Sequence, residues 1–248
     1  MADSCGSGWT QDDWYRDGED QIHFFPFSKV LLWTKGKKIL AQVEAWGGEN
    51  PRRGIDYGKM KPHLTTPGGY VISGWGPYVT QSWDFSAIRW GTPLKMDPTR
   101  EHVLYRTDVL DKWERTESVN PKLTKAAIYR RHWDLYGYSR RYDSDGDGIP
   151  EQWVFNDFGP VAINYFCDPN RNRKHDPGEK IMGEKIHTTA ENEAQTTNDE
   201  RVKMEYSHAC IHVRPLDLRR LLRRGAFKRG MLLFVHENNE RLPESIGR

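Results

Sequence analysis

Apolar and polar positions along this chain change over in short stretches, with the period of β-strands more often than that of helices. Residues 30–33 and 39–46 are two such stretches, and the Thr34-Lys35-Gly36-Lys37 turn between them predicts a β-hairpin. Residues 47–69 read as loop and 70–72 as a further strand. The signal weakens from 74 to 142, where 122–133 fits helix and strand equally. Short strands are expected at 153–155 and 161–166. Residues 201–206 alternate strictly between polar and apolar, which predicts a half-buried strand. Pro215 suits a first helical turn, Leu218, Leu221 and Leu222 form one face, and Gly225 ends the helix. Residues 231–235 close the pattern as a last strand. Six or more short strands with one clear helix predict a mostly-β fold with few short helices. Residues 1–27, aromatic and acidic, are expected to form an arm across the body.

Composition narrows the function classes. The 248 residues carry 37 Lys and Arg against 35 Asp and Glu, so the chain lacks the basic excess typical of nucleic-acid proteins, and no nucleic-acid partner is expected. Hydrophobic residues are 36% of the chain, yet 12% are aromatic and 10 of them are Trp, which implies a core of few, large side chains. The uncharged run 62–83 is interrupted by Pro62, Pro67, Pro77 and four glycines, so no transmembrane segment is expected. The opening Met-Ala-Asp-Ser-Cys has no basic or apolar signal region. Three cysteines, Cys5, Cys167 and Cys210, allow one disulfide at most and leave one thiol to be explained.

Cys210 stands where the alternating stretch ends, with His208 two residues before it and His212 two after, and a helix begins shortly beyond. A thiolate is a nucleophile, and imidazoles or a helix N-terminus favour it. A buried structural cysteine fits the same spacing. Zinc fits less well, since no second Cys or His pair has matching spacing.

The segment Ser207-His208-Ala209-Cys210-Ile211-His212 resembles the signature of the L,D-transpeptidase catalytic (YkuD-type) domain, a Ser/Thr-His-Gly-Cys motif preceded by a histidine. Ile186-His187-Thr188-Thr189 is similar to the family's upstream strand-end histidine. Leu64-Thr65-Thr66-Pro67-Gly68-Gly69-Tyr70-Val71-Ile72 is similar to its Thr-Pro-x-Gly stretch. The resemblance covers residues 28–80 and 185–236. It implies a β-sandwich with a large insertion at about 81–182, a catalytic domain over 28–236, and a tail at 237–248. It also implies acyl transfer on peptidoglycan stem peptides. Cys210 would be the nucleophile, His187 the general base, and Thr188 the group that orients it. Ser207 and His208 would shape the site, and the N–H groups of His208, Ala209 and Cys210 would form an oxyanion hole. An amine resolving the thioester gives a cross-link, and water gives carboxypeptidase activity. Three departures stand out, one being the spacer of 19 residues between His187 and Ser207, slightly longer than usual in the family. Ala209 replaces the family's glycine, which costs roughly 1–2 kcal/mol if that position has positive φ. His212 replaces the usual Arg or Asn in orienting substrate.

Two acidic loops follow a calcium-loop spacing. Asp143, Asp145, Asp147, the Ile149 carbonyl and Glu151 occupy positions 1, 3, 5, 7 and 9 around Gly148, but Val154 stands at position 12. Asp168, Asn170, Asn172, the Lys174 carbonyl, Asp176 and Glu179 complete a second set, with Arg173 at the glycine position. Calcium is therefore an expected structural cofactor, although Asp/Asn-Gly turns arise without metal. Seven basic residues between Arg214 and Arg229 read as a solvated helix face, or as an attraction for anionic wall polymers. A monomer outside the cytoplasm is expected from the substrate.

Overall fold

The computed structural model describes residues 8–52, 61–109, 112–137 and 141–243. In chain order its strands are β1 (Asp20–Phe25), β2 (Val30–Lys35), β3 (Lys38–Trp46), β4 (Gly68–Gly76), β5 (Leu94–Met96), β6 (Val103–Arg106), β7 (Trp113–Arg115), β8 (Ala162–Phe166), β9 (Ile186–His187), β10 (Ile211–Val213) and β11 (Leu232–Val235). The α-helices are α1 (Thr116–Val119), α2 (Lys125–Tyr136), α3 (Ala190–Thr197) and α4 (Pro215–Arg223). The fold is mostly β, as the pattern predicts. Among the described residues no helix is long and apolar enough to cross a membrane.

The chain divides into two compact units. One comprises residues 1–75, 163–187 and 203–248, and the other 76–162 and 188–202. In the first, eight strands join in the closed order β1-β11-β4-β8-β9-β10-β3-β2. The sheet is thus one ring, where two stacked sheets of a sandwich were expected. The β2–β3 hairpin forms as predicted, turning on Gly36 at φ +54. The ring encloses Ile22, Phe24, Leu31, Tyr70, Ile163, Tyr165, Ile186, Ile211 and Leu233, all fully buried. Leu218 and Leu221 of α4 join this core, and Gly225 ends the helix at φ +85. Their charged neighbours lie outward, with Arg214 paired to Glu44 at 2.5 Å and Arg220 to Asp217 at 3.5 Å.

Three expectations change. Residues 20–25 are a ring strand rather than part of an arm, and β1 pairs in parallel with β11. Residues 201–206 stay outside any sheet ladder until an isolated bridge between Ser207 and Gly48. Met204 is buried there but Tyr206 is exposed, with its ring against Trp46. In the second unit, 153–155 form no strand. Trp153, Val154 and Phe155 are nevertheless fully buried with Leu123 and Ile128. The ambiguous stretch becomes α2, capped by Thr124, whose side chain accepts the Ala127 N–H.

Where β1 meets β11, two buried histidines touch. His23 Nδ1 lies 3.1 Å from His236 Nε2, His23 Nε2 is 3.1 Å from Gln21 Oε1, and His236 Nδ1 is 3.0 Å from Glu240 Oε1. Gln21 is fixed by backbone bonds, accepting Tyr15 N–H through Oε1 and donating through Nε2 to Asp13 C=O. His23 must then donate to Gln21, and His236 to His23. Two neutral imidazoles supply two protons for three hydrogen bonds, so Glu240 supplies the third as a carboxylic acid. Burial raises the Glu240 carboxyl and pushes His236 down to about 3, in agreement with that count.

Candidate active site

Cys210 immediately precedes β10. Alternation directs Ile211 and Val213 into the core and leaves His212 on the other face. The parallel pairing with β9 sets Ile211 opposite Ile186 and His212 opposite His187. His187 is thus paired with the residue two beyond Cys210. The His187 and His212 rings meet edge to face at 4.8 Å. His212 Nδ1 donates to the Glu205 carbonyl at 3.3 Å, which fixes its tautomer.

The turn carrying the thiol is braced at each residue. Ser207 Oγ accepts Ala209 N–H at 3.0 Å and donates to the Cys210 carbonyl. Thr65 Oγ1 donates to the Ala209 carbonyl at 2.8 Å and accepts Gly48 N–H at 2.9 Å. His63 N–H donates to the His208 carbonyl, while the His208 side chain is exposed. A Cβ on Gly48 would sit 1.9 Å from the His63 oxygen and 2.7 Å from Ala209 Cα, so only glycine permits this approach. Ala209 has φ +149, a conformation that favours glycine. Its N–H is committed to Ser207, which removes it from the expected trio of oxyanion donors.

Cys210 is a free thiol, partly accessible. Burial pushes it up to about 11. Lys185 N–H, which donates to Sγ at 3.3 Å, opposes this, as does the Lys185 charge, while Glu184 adds to it. Sequence reasoning missed these two neighbours. Glu184 is buried, accepting Thr66 N–H, Thr66 Oγ1–H at 2.6 Å and Tyr165 O–H at 3.1 Å. Lys185 Nζ donates to the Met182 carbonyl at 2.6 Å, and burial lowers its ammonium. A Glu-Lys pair directly preceding a two-residue strand was the available signal. Thr188, expected to orient His187, is buried and donates through Oγ1 to Glu193 at 2.8 Å. Cys167 is disulfide-bonded, and Cys5 lies outside the described residues.

The two acidic loops differ. Carboxylate oxygens of Asp143, Asp145 and Glu151 lie within 4.8 Å of one another, and Asp147 falls outside that group. In the second loop Asp176 Oδ2 accepts both Asn170 and Asn172 amides. Asp168 is saturated by Trp9 Nε1–H, Asn172 N–H and Arg173 N–H. Comparison with models of known protein families finds no match, and no curated protein matches the chain.

Proposed function

We propose that this chain is a cysteine acyltransferase of the L,D-transpeptidase type, acting on peptidoglycan stem peptides. The observation that supports the reading is the parallel register of β9 and β10, which pairs His187 with His212, two residues along the chain from Cys210. Cys210 Sγ attacks the carbonyl of the third stem residue as His187 takes the thiol proton. The tetrahedral intermediate collapses to a thioester, and His187 returns the proton to the departing D-alanine amine. An amine of a second stem then attacks the thioester and releases the thiol, giving a cross-link. Water in the same role gives carboxypeptidase activity, which would also serve an exported wall-damaging toxin. Because burial holds the resting thiol protonated, proton removal accompanies attack rather than preceding it. The disulfide at Cys167 fits an oxidising, extracytoplasmic compartment.

The test is incubation with tetrapeptide muropeptides beside Cys210→Ala, with products followed by mass spectrometry. Dimers, or tripeptides with free D-alanine, are expected only with the intact cysteine. The high thiol pKa and the strained Ala209 favour a second reading, a non-catalytic wall-binding module. That module would bind wall equally well as Cys210→Ala and form no acyl adduct.

A further inference from the structure

Within the unit formed by residues 76–162 and 188–202, the turn from Asp143 to Glu151 gathers carboxylates with little to neutralise them. One oxygen of each aspartate serves the turn. Asp143 Oδ2 accepts Gly148 N–H at 2.9 Å, Asp145 Oδ1 accepts Asp147 N–H at 3.1 Å, and Asp147 Oδ1 accepts Ile149 N–H at 2.9 Å. Gly148, at φ +88, permits the tight bend. Glu151 Oε1 accepts the Ser144 N–H and hydroxyl. Asp143 is only 8% exposed, and its Oδ1 is buried with no hydrogen-bond partner. A buried carboxylate oxygen without a donor is costly to hold, and a cation is the partner that removes the cost. Among the described residues, the ion pair found for these four carboxylates is Arg100 with Asp147, at 3.6 Å.

The loop at 168–179 is an internal contrast. It has the same spacing, but Asp168 and Asp176 are met by Trp9, Asn170, Asn172 and backbone N–H groups, while Glu179 Oε1 is buried without a partner. The two loops differ at position 1, where both oxygens of Asp168 accept hydrogen bonds and Asp143 Oδ1 accepts none.

We propose that Asp143, Asp145 and Glu151, with the Ile149 carbonyl and water, bind one calcium ion. All the donors are hard oxygens, and the irregular set suits the six to eight ligands of calcium better than the strict octahedron of magnesium. Val154, at position 12, is wholly buried in the core and cannot ligate. The missing bidentate glutamate places the affinity in the weak range of extracellular sites. The inference is independent of any chemistry at Cys210.

The test uses the full chain after chelation and dialysis, titrated with calcium chloride by calorimetry and followed by thermal melting. Saturable binding is expected, with Tm rising a few degrees. Exposed Asp145→Asn should keep the metal-free Tm and circular dichroism while weakening binding about tenfold or more. Terbium luminescence, sensitised by neighbouring aromatic rings and quenched by added calcium, gives a second readout. No heat, no terbium signal and no Tm shift at about 10 mM calcium would overturn the site. An unchanged response in Asp145→Asn with Glu151→Gln would do the same. An equal response to magnesium would overturn the assignment to calcium.

Discussion

Ala209 and Cys210 are adjacent, and each is held in a state that a smaller or more exposed residue would avoid. Ala209→Gly relieves the +149° φ and should stabilise the protein by about 1 kcal/mol, read as a rise in Tm or denaturation midpoint. A loss of stability would mean that the methyl packing outweighs the strain. For Cys210, alkylation by iodoacetamide should be slow at neutral pH and accelerate with an apparent pKa near the value of about 11 set by burial. A rate already at its plateau at pH 7 would contradict this. The buried imidazoles make a prediction with a definite sign. His236 is depressed to about 3 and His23 falls well below its ordinary value, both by burial, with His236 adding to the effect on His23. Between pH 6.5 and about 3 the unfolded chain therefore binds more protons than the folded one. Stability is full above pH 6.5 and lost progressively as the pH falls, by about 2 kcal/mol at pH 5 from His236 alone. Glu240 acts in the opposite direction. Its raised carboxyl contributes stability below its folded pKa that is lost as the pH rises through it. Glu240→Gln donates to His236 without a titrating proton. It should remove the fall in stability that sets in as the pH rises above the ordinary carboxylate value, while leaving the histidine-driven loss at low pH in place.

At the scale of elements, α4 was legible because its signals are local. Pro215, three leucines and Gly225 specify a short amphipathic helix that needs only a core beneath it. Leu221→Ala, at a fully buried position in that core, should cost about 2–4 kcal/mol in chemical denaturation without moving the helix. The stretch 201–206 has the right alternation but joins no ladder among the described residues, and alternation alone cannot supply a partner. Residues 153–155 have the composition of a strand and are fully buried, yet backbone pairing stops at Trp153, which bonds to Gly91 and Thr92, and Val154 and Phe155 pack into a hydrophobic cluster. β1 was hidden for the opposite reason. Asp20-Gln21-Ile22-His23-Phe24-Phe25 does not alternate, because its histidine and glutamine are buried in a hydrogen-bonded chain that only tertiary structure supplies. The same limit concealed Glu184 and Lys185, whose polarity reads as surface until Thr66 and Tyr165 are seen around Glu184 and the Met182 carbonyl against Lys185.

For the whole molecule, the mostly-β class was readable from strand count, but ring closure was not. Closure depends on β1 lying beside β11, strands roughly two hundred residues apart in the chain. That pairing bears on synthesis. A ribosome adding about 5–20 residues per second needs roughly 10–40 s to make the intervening chain. Throughout that interval the β1–β2–β3 segment is outside the ribosome with two unpaired edges, and edges of this kind template association with other chains. Among the described strands β11 is the last to be made and the one that closes the gap, so the edge of β1 stays open to association until β11 emerges.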